Sequence, residues 1–394
     1  MRASAMRIDL VAASWEAEPL EHTTHITELA VALSRQGHEV ALHIRRHTPD
    51  QPESEENPFG FRVVRVPAGP PSPLSGAALI AHLDGFAAFL DRAWAERAPD
   101  VVHLHSWMSG LAVSESDAPL VQSLHGFRHT ERQFQRLVVR RRTDMERLVA
   151  LAADRVVTAA ADEAFELVRL GVPGTKVSLV PWGVDTDLFH PEGPAAPRGA
   201  GPRLVALGEV APHSGFHTAI TALAAVPDAE LLIVGPIRSD AADEDPEVLR
   251  LVGHARRLRV GHRVRFTGRA GRADLPALLR SADVALCVPS REPSGVAAAQ
   301  AMACGVPVVA SAVGALADLV VDGSTGVLVP ARAPLALGVA LRGLLADPAL
   351  SRAHALAGAE RVRVRYSWDR VAAEVAATYR KAIRHRRFEV AAEQ

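Results

Sequence analysis

Residues 292–310 read EPSGVAAAQAMACGVPVVA and are the most informative run of the chain. The Pro-Ser-Gly turn at 293–295 precedes an alanine-rich segment that predicts a helix over 296–303. A Gly-Val-Pro turn follows and leads into a predicted strand over 306–310. A tight loop that opens a helix directs backbone N–H groups outward, which suits an anionic ligand. The run therefore predicts a loop, helix and strand of an α/β fold with a binding loop.

Short apolar strands alternate with amphipathic helices on both sides of this run. The predicted strands cover 8–12, 39–44, 100–105, 120–124, 155–159, 177–180, 203–207, 230–234, 264–267 and 284–288. Predicted helices cover 24–36, 218–225 and 368–384. Such alternation favours parallel sheets with helices on both faces. Because open sheets of this kind bind ligands outside the carboxyl ends of their strands, we expect the site in the loops there.

The alternation is interrupted at 190–202, where HPEGPAAPRGAGP holds four prolines and three glycines. Such a segment cannot form a helix or a central strand. We therefore predict a Rossmann-like N-terminal domain over 1–190, a linker over 191–202 and a second Rossmann-like domain over 203–365. A C-terminal helix over 366–394 is expected to pack back on the N-terminal domain. Two doubly wound sheets facing each other would enclose a cleft.

Composition argues against several classes of protein. The formal net charge is −1, so no global field attracts nucleic acid. The two cysteines, Cys287 and Cys304, lie in apolar surroundings and are predicted to be free buried thiols in a reducing compartment. The apolar run after the first residues is too short for a signal peptide, and no run approaches the ~20 apolar residues of a membrane span. These features predict a soluble, cytoplasmic protein.

Further motifs are distributed along nearly the whole chain. They are Gln36-Gly-His-Glu-Val40, Pro99-Asp-Val-Val-His-Leu-His105, Leu124-His-Gly126, Val180-Pro-Trp-Gly-Val-Asp185, Val321-Asp-Gly-Ser-Thr-Gly326 and Tyr366-Ser-Trp368. Together with residues 292–310 they resemble glycosyltransferase family 4, the retaining nucleotide-sugar transferases of GT-B fold. The resemblance implies an acceptor-side domain over 1–190, a donor-side domain over 203–365 and no metal cofactor.

The same resemblance assigns candidate catalytic and donor-binding residues. Glu292 would contact the donor sugar, and the loop amides after it would take the phosphate. His125 would lie beside the donor sugar at the cleft. Gly295 would let the backbone approach the ligand closely, with Val296 next to it at the donor site. Gly208 would open the second donor-binding loop.

Four positions depart from the family pattern. The Glu that grips the ribose is Gln300, the Arg that clamps the diphosphate is Glu209, and the Lys beside it is Ser214. The Gly-Gly of the acceptor-side loop becomes Leu20 and Glu21. Losing the Arg and Lys contacts would cost about 3–6 kcal/mol of diphosphate binding, since a charge-assisted hydrogen bond contributes about 1.5–3 kcal/mol.

Structural roles compete with these assignments. His125 could be an ordinary loop histidine, Glu292 an acid at a helix N-terminus, and Gln300 a surface amide. His103 and His105 flank a buried strand and are expected to pack in the core or at the cleft rather than to bind a metal, since no further ligand clusters with them. A run at 128–147 holds seven arginines and could face an anionic acceptor or a membrane surface. Acidic residues interrupt this run, which favours a solvated helix face instead.

The function predicted from these features is retaining transfer of a hexosyl group from an activated donor to a small or lipid-linked acceptor. The four departures leave two alternatives open. One is an impaired homologue that binds a sugar or a protein partner, and the other is a transferase whose donor lacks the usual diphosphate. Nucleic acid is not an expected partner, peripheral membrane contact stays open through the basic run, and the oligomeric state is not predicted.

Overall fold

The computed structural model describes residues 4–18, 20–113, 115–125, 136–237 and 244–392. The chain divides into two compact units. The first unit comprises Met1–Gly183 and Trp368–Gln394, and the second comprises Val184–Ser367. Each unit is built on one predominantly parallel sheet, so the predicted pair of Rossmann-like α/β domains is confirmed.

In the described part of the first unit, eight strands form one sheet in the order β3-β4-β2-β1-β5-β6-β7-β8. The strands are β1 (Arg7–Ala12), β2 (Glu39–Arg45), β3 (Ser54–Glu56), β4 (Arg62–Val66), β5 (Val101–His105), β6 (Leu120–Ser123), β7 (Arg155–Thr158) and β8 (Val177–Leu179). Strand β3 pairs antiparallel with β4, and the other neighbours pair parallel. The helices between them are α1 (Leu20–Arg35), α2 (Gly76–Leu79), α3 (Leu83–Glu96), α4 (Trp107–Ala112), α5 (Arg136–Ala152) and α6 (Ala161–Arg169).

The described part of the second unit holds a six-stranded parallel sheet in the order β11-β10-β9-β12-β13-β14. Its strands are β9 (Arg203–Leu207), β10 (Glu230–Val234), β11 (Val264–Gly268), β12 (Val284–Cys287), β13 (Val308–Ser311) and β14 (Val327–Val329). Its helices are α7 (Phe216–Leu223), α8 (Pro246–Arg257), α9 (Leu275–Arg280), α10 (Val296–Ala303), α11 (Gly314–Leu319), α12 (Pro334–Ala346) and α13 (Pro348–Arg365). Helices pack on both faces of this sheet, in two apolar clusters that contain alternate residues of β9 and β10, which explains why those strands are largely apolar.

The last helix, α14 (Trp368–Ala392), belongs to the core of the first unit. Val371, Val375 and Tyr379 are almost fully buried in one apolar cluster with β1 and α1. Gln36 Nε2 also donates to the carbonyl of Asp369 at 2.9 Å and ties the end of α1 to the start of α14. The first unit is therefore assembled from both ends of the chain.

The chain passes between the units at residues 183–184 and again at 367–368. Residues 191–202, predicted as the linker, lie inside the second unit. Ala196 N donates to the carbonyl of Ala277 at 2.8 Å, and the Arg280 guanidinium donates to the carbonyls of His190 and Pro194. A segment rich in proline lacks regular hydrogen bonds of its own, so these hydrogen bonds with α9 hold it in place.

Three short strands were missed by the sequence analysis. Strand β3 is only Ser-Glu-Glu and is fully exposed, so no apolar alternation marks it. Strands β4 and β14 lie toward the sheet edges, where one or both faces are partly open to solvent. Among the described helices, none combines the length and apolar character needed to cross a membrane.

Gly215 provides a stability test of the second unit. It precedes α7 with φ +79°, and a Cβ there would lie 1.8 Å from the carbonyl oxygen of Val288. Gly215→Ala should therefore lower the free energy of unfolding by about 2–4 kcal/mol, from left-handed strain plus overlap. Urea unfolding followed by circular dichroism measures this change.

Gly343 is the matched control for that substitution. It lies exposed inside α12, and a Cβ there would meet nothing within 4 Å. Gly343→Ala should raise stability by about 0.5–1 kcal/mol because alanine is the better helix former. Equal effects of the two substitutions would show that the Val288 contact does not constrain position 215.

Candidate functional site

The two sheets share a feature that positions ligand-binding loops. In each, the strand order reverses between two neighbouring parallel strands, β1 and β5 in the first unit and β9 and β12 in the second. Helices leave such a point in opposite directions, and the loops after the two strands are left at the open carboxyl edge. In each unit, a hydrogen bond joins the two loops. Ser14 Oγ lies 2.9 Å from Ser106 Oγ, and Ser290 N donates to the carbonyl of His213 at 2.8 Å.

In the second unit, the loop after β9 brings Gly208, Glu209 and Ser214 into one turn. Gly208 has φ +144° and donates its N–H to the carbonyl of Val234 at 3.1 Å. Ser214 Oγ donates to the carbonyl of Glu209 at 2.6 Å. The Glu209 side chain is exposed. The two residues that replace the family's Arg and Lys are therefore neighbours at this edge.

The loop after β12 is organised by Glu292. One carboxylate oxygen, Oε1, accepts from Ser294 N at 3.1 Å, from Ser294 Oγ at 2.9 Å and from Gly295 N at 3.0 Å. Gly295 has φ +70° and is followed directly by α10. Glu292 thus holds the loop that leads into the helix, and its carboxylate complements the positive end of the helix dipole. The amides assigned to a phosphate by resemblance donate here to Glu292.

Helix α10 carries the remaining donor-side candidates. Val296 and Gln300 lie four residues apart on one helix face, and both are half-buried. The two cysteines near this helix are free and buried, as the sequence predicted. Burial raises the pKa of Cys304 to about 11 and raises that of Cys287 still further. Neither thiol is a thiolate at neutral pH, so neither is a nucleophile.

In the first unit, His125 lies in a cluster of five imidazoles at the carboxyl ends of β5 and β6. Its ring centroid is 5.3 Å from that of His22, 5.5 Å from that of His25 and 5.0 Å from that of His105. The fifth member, His103, has its ring centroid 4.1 Å from that of His105. We call these five residues the histidine cluster.

Two members of the histidine cluster were missed by the sequence analysis. His22 and His25 are three residues apart on α1, so they lie on the same helix face. Trp182 covers them, with its ring stacked on His25 at 4.3 Å. The spacing was visible in the sequence, but nothing local indicated that this face of α1 meets the end of β5. His103 and His105 are buried, as expected.

Burial keeps four imidazoles of the histidine cluster neutral, those of His25, His103, His105 and His125. It lowers the pKa of His25 and of His103 to about 3 each. It lowers the pKa values of His105 and His125 well below 6.5, and the neighbouring imidazoles contribute in the same direction. Within the described residues, no group of three or more His, Cys, Asp or Glu side chains is arranged to hold a metal ion.

A carboxylate lies beside the histidine cluster. Glu18 Oε1 accepts from Ser14 Oγ at 2.6 Å, and Glu18 Oε2 lies 3.0 Å from His22 Nδ1. Burial by itself raises the pKa of Glu18, but the hydrogen bonds from His22 and Ser14 outweigh it and leave the pKa lowered. Neither Ser14 nor Glu18 was predicted as a site residue. The residues are close only because the loop after β1 folds back on the loop after β5.

Leu20 and Glu21 were predicted in a loop, and that prediction is wrong. Both residues form the first turn of α1 and are exposed. The physical reason is local, because Leu and Glu favour the helical conformation whereas two glycines disfavour it. The helix therefore starts before the position that the sequence analysis predicted.

The basic run falls partly outside the described residues, which omit Arg128 and Arg132 and the side chains of Arg136, Arg140 and Arg141. Arg142 Nε donates to Glu146 Oε1 at 2.8 Å, one helical turn away. Arg147 Nε donates to the carbonyl of Leu170 at 2.7 Å. The described arginines of the run are therefore engaged within the first unit.

Two family models match the chain, one on each unit. The glycosyl transferase 4-like domain matches residues 22–183, and the glycosyl transferases group 1 model matches residues 195–361. The D-inositol 3-phosphate glycosyltransferase of Xylanimonas cellulosilytica is 35% identical, with 92% of each chain covered. The glycogen synthase of Mycobacterium tuberculosis is 29% identical, with 97% of this chain and 96% of that protein covered.

Solved structures give the same fold. The sucrose-phosphate synthase of Thermosynechococcus elongatus superposes with a TM-score of 0.82 at 27% identity, covering 95% of this chain and 98% of the other. The Anabaena HepE protein in complex with UDP and glucose gives 0.72 at 18% identity, covering 95% and 100%. Both superpositions extend over the two units rather than over one of them.

His103 gives a test of the buried, neutral state of the cluster. Its pKa is about 3 in the folded protein and about 6.5 in an unfolded chain, so below pH 6.5 the unfolded chain binds a proton that folded His103 does not. The stability contributed by neutral His103 is complete above about pH 6.5 and falls by about 1.4 kcal/mol per pH unit below it. His103→Phe should therefore reduce the stability difference between pH 7.5 and pH 5 by about 2 kcal/mol.

Urea unfolding at the two pH values measures this difference. The control is His262→Gln, which removes an exposed histidine of the second unit and leaves the histidine cluster intact. An unchanged pH dependence in His103→Phe would show that His103 takes up its proton equally in the folded and unfolded chains.

Proposed function

The chain belongs to the family 4 glycosyltransferases of GT-B fold, and on that premise we propose that it transfers a hexosyl group with retention from a nucleotide sugar to a small or lipid-linked acceptor. The observation that carries the proposal is the arrangement around Glu292. A carboxylate is fixed at the N-terminus of α10, at the strand reversal of the second unit. The two loops that meet there, with the helix that follows them, contain every donor-side candidate.

The two carboxylate oxygens of Glu292 have different roles in this proposal. Oε1 accepts three hydrogen bonds from its own loop, and among the described residues no donor contacts Oε2. Oε2 can therefore accept from a sugar hydroxyl, and a hydrogen bond to a carboxylate is roughly twice as strong as a neutral one. These three hydrogen bonds fix the carboxylate before the sugar arrives, so little side-chain freedom is lost on binding.

The nucleotide is proposed to bind along the same edge. Gln300 lies one helical turn from Val296, and its amide can hydrogen-bond a ribose hydroxyl in place of a carboxylate. Solved relatives of the same fold were determined with UDP, with UDP-glucose and with ADP. Glu209 replaces a cation with an anion, so we propose that the backbone of the loops supplies most of the diphosphate contacts.

In the first unit, His125 is proposed to contact the transferred sugar. Its imidazole is neutral, because burial lowers its pKa well below 6.5. It can therefore form a hydrogen bond to a hydroxyl without introducing a charge. Nearby Glu18 stays ionised and is held by Ser14 and His22, which makes it a candidate to bind an acceptor hydroxyl.

The proposed function is tested with labelled UDP-, GDP- and ADP-hexoses. Nucleotide release in the presence of a sugar or lipid-linked acceptor, with the donor's anomeric configuration kept in the product by NMR, is the expected result. Product of opposite configuration would contradict retention. Release from none of the donors with any acceptor class would contradict the proposed reaction.

Glu292→Gln and Glu292→Ala separate donor binding from support of the loop. The amide introduced by Glu292→Gln keeps an oxygen for the loop N–H groups but presents NH₂ where Oε2 was, so donor binding should fall about tenfold with the melting temperature unchanged. Glu292→Ala removes both functions, so binding and stability should both fall, the latter by about 1 kcal/mol. Calorimetric titration with the preferred donor and thermal unfolding give the two readouts. Full donor affinity in Glu292→Gln would leave Glu292 with a structural role in the loop only.

Glu209→Arg with Ser214→Lys restores the family's two cations and changes the local charge by +3. The double variant should bind UDP or GDP more tightly by about 3–6 kcal/mol, the size of two charge-assisted contacts. The parent should bind the free nucleotides with a Kd of about 1 mM or weaker, measured by calorimetry. Adding Gln300→Glu should contribute less, since the amide already bonds a hydroxyl. Low-micromolar binding by the parent would contradict this account of the loop.

A further inference from the structure

One member of the histidine cluster and one residue next to the cluster have unusual backbone conformations. Ser106 follows β5 with φ +72°, and His125 follows β6 with φ +55°, although neither is glycine. Conformations of this kind persist only where the surroundings determine them, and they concentrate at functional sites. Ser106 N donates to the carbonyl of Ser123 at 2.9 Å and joins the ends of the two strands. The backbone at His125 is therefore held in a defined place relative to β5.

His105 meets His125 edge to edge. His105 Nδ1 lies 2.8 Å from His125 Nε2, and the two ring planes differ by only 4°. Both imidazoles are neutral, because burial lowers their pKa values well below 6.5. A neutral imidazole carries one N–H and one lone pair, so one of the facing nitrogens donates and the other accepts. The direction of this one hydrogen bond sets the tautomer of both rings.

The surroundings of His105 decide the direction. His105 Nε2 is fully buried, and among the described residues it has no hydrogen-bond partner. A proton on Nε2 would be a buried N–H without an acceptor, which is rarer and more costly than an unused lone pair. The His105 proton therefore lies on Nδ1 and is donated to His125 Nε2. His125 must then carry its own proton on Nδ1.

We propose that His105 is a positioning residue that fixes His125 as the neutral Nδ1–H tautomer. This rests on the proposed function, in which His125 contacts the transferred sugar. With Nε2 occupied by His105, His125 offers the sugar one N–H donor and no base. His125 therefore selects a hexose with an oxygen that can accept a hydrogen bond from its Nδ1–H. It takes no proton from the hydroxyl group of the acceptor substrate.

Nitrogen NMR of the full chain with ¹⁵N-labelled histidine tests the tautomer without any ligand. Long-range ¹H–¹⁵N correlation at pH 7 should show His125 protonated at Nδ1 and bare at Nε2, with His105 in the same tautomer. His125→Gln assigns the signals by their loss. Protonation of His125 at Nε2, or at both nitrogens, would overturn the proposal even if the protein transfers sugars. A protein that turns over no donor would contradict the proposed function, while the spectrum would still decide the tautomer.

Substitutions at position 105 test the positioning role. Asn places an amide N–H near the Nδ1 position, whereas Phe fills the space without a donor. His105→Phe should leave His125 exchanging between tautomers and lower kcat/KM for the preferred UDP-, GDP- or ADP-hexose about 5–10-fold, the loss of one hydrogen bond. His105→Asn should keep His125 in the parent tautomer and keep kcat/KM within about twofold of the parent value.

The matched control is His38→Phe. His38 is also buried in the first unit, but its Nδ1 accepts from Met6 N at 3.1 Å and does not touch His125. This variant should lose stability and leave the His125 tautomer unchanged. Equal kcat/KM in His105→Phe and the parent, with His125 still a single Nδ1–H tautomer, would show that His105 does not position it.

Discussion

Parallel strands can be joined only by crossovers over the faces of the sheet, and this constraint places every candidate residue of the chain. Where the crossovers change side, two adjacent strands end without a helix above them. In each unit the loops at that point close the gap with hydrogen bonds to each other, Ser14 to Ser106 in the first and Ser290 to His213 in the second. The polar groups left over at this edge are the ones available to a ligand.

The two edges differ in electrostatic character. The first unit presents uncharged imidazoles whose protonation is suppressed by burial, with one ionised carboxylate at Glu18. The second presents the carboxylates of Glu209 and Glu292, together with backbone amides directed by a helix N-terminus. A nucleotide sugar is anionic at the diphosphate and neutral at the hexose. Backbone dipoles suit the diphosphate, and neutral hydrogen-bonding rings suit the hexose. The proposed function assigns the diphosphate to the second unit and a contact with the hexose to His125 of the first.

Most of the strands could be predicted from the sequence, because buried parallel strands such as β9 and β12 are largely apolar runs between turn residues. The start of α1 could not, since the family pattern suggested a loop where Leu20 and Glu21 favour helix. Glu292 was identified from its motif, but its hydrogen bonds with Ser294 and Gly295 depend on the φ of a single glycine. His22 and His25 carried the right helical spacing. Their meeting with His125 depends on long-range packing that no local pattern encodes.

The double passage of the chain between the units has a consequence for biosynthesis. The second unit is an insertion within the first, and its ends are joined where Val184 N donates to the carbonyl of Tyr366 at 2.7 Å. A ribosome moving at about 5–20 residues per second needs roughly 10–40 s to make this insertion, and the first unit waits that long for α14. Tyr379 Oη on α14 lies 2.7 Å from His103 Nδ1, so the histidine cluster receives its last hydrogen-bond partner only at the end of translation. A nascent chain thus gains a complete second unit before its histidine cluster is finished, which orders the appearance of the two units in time.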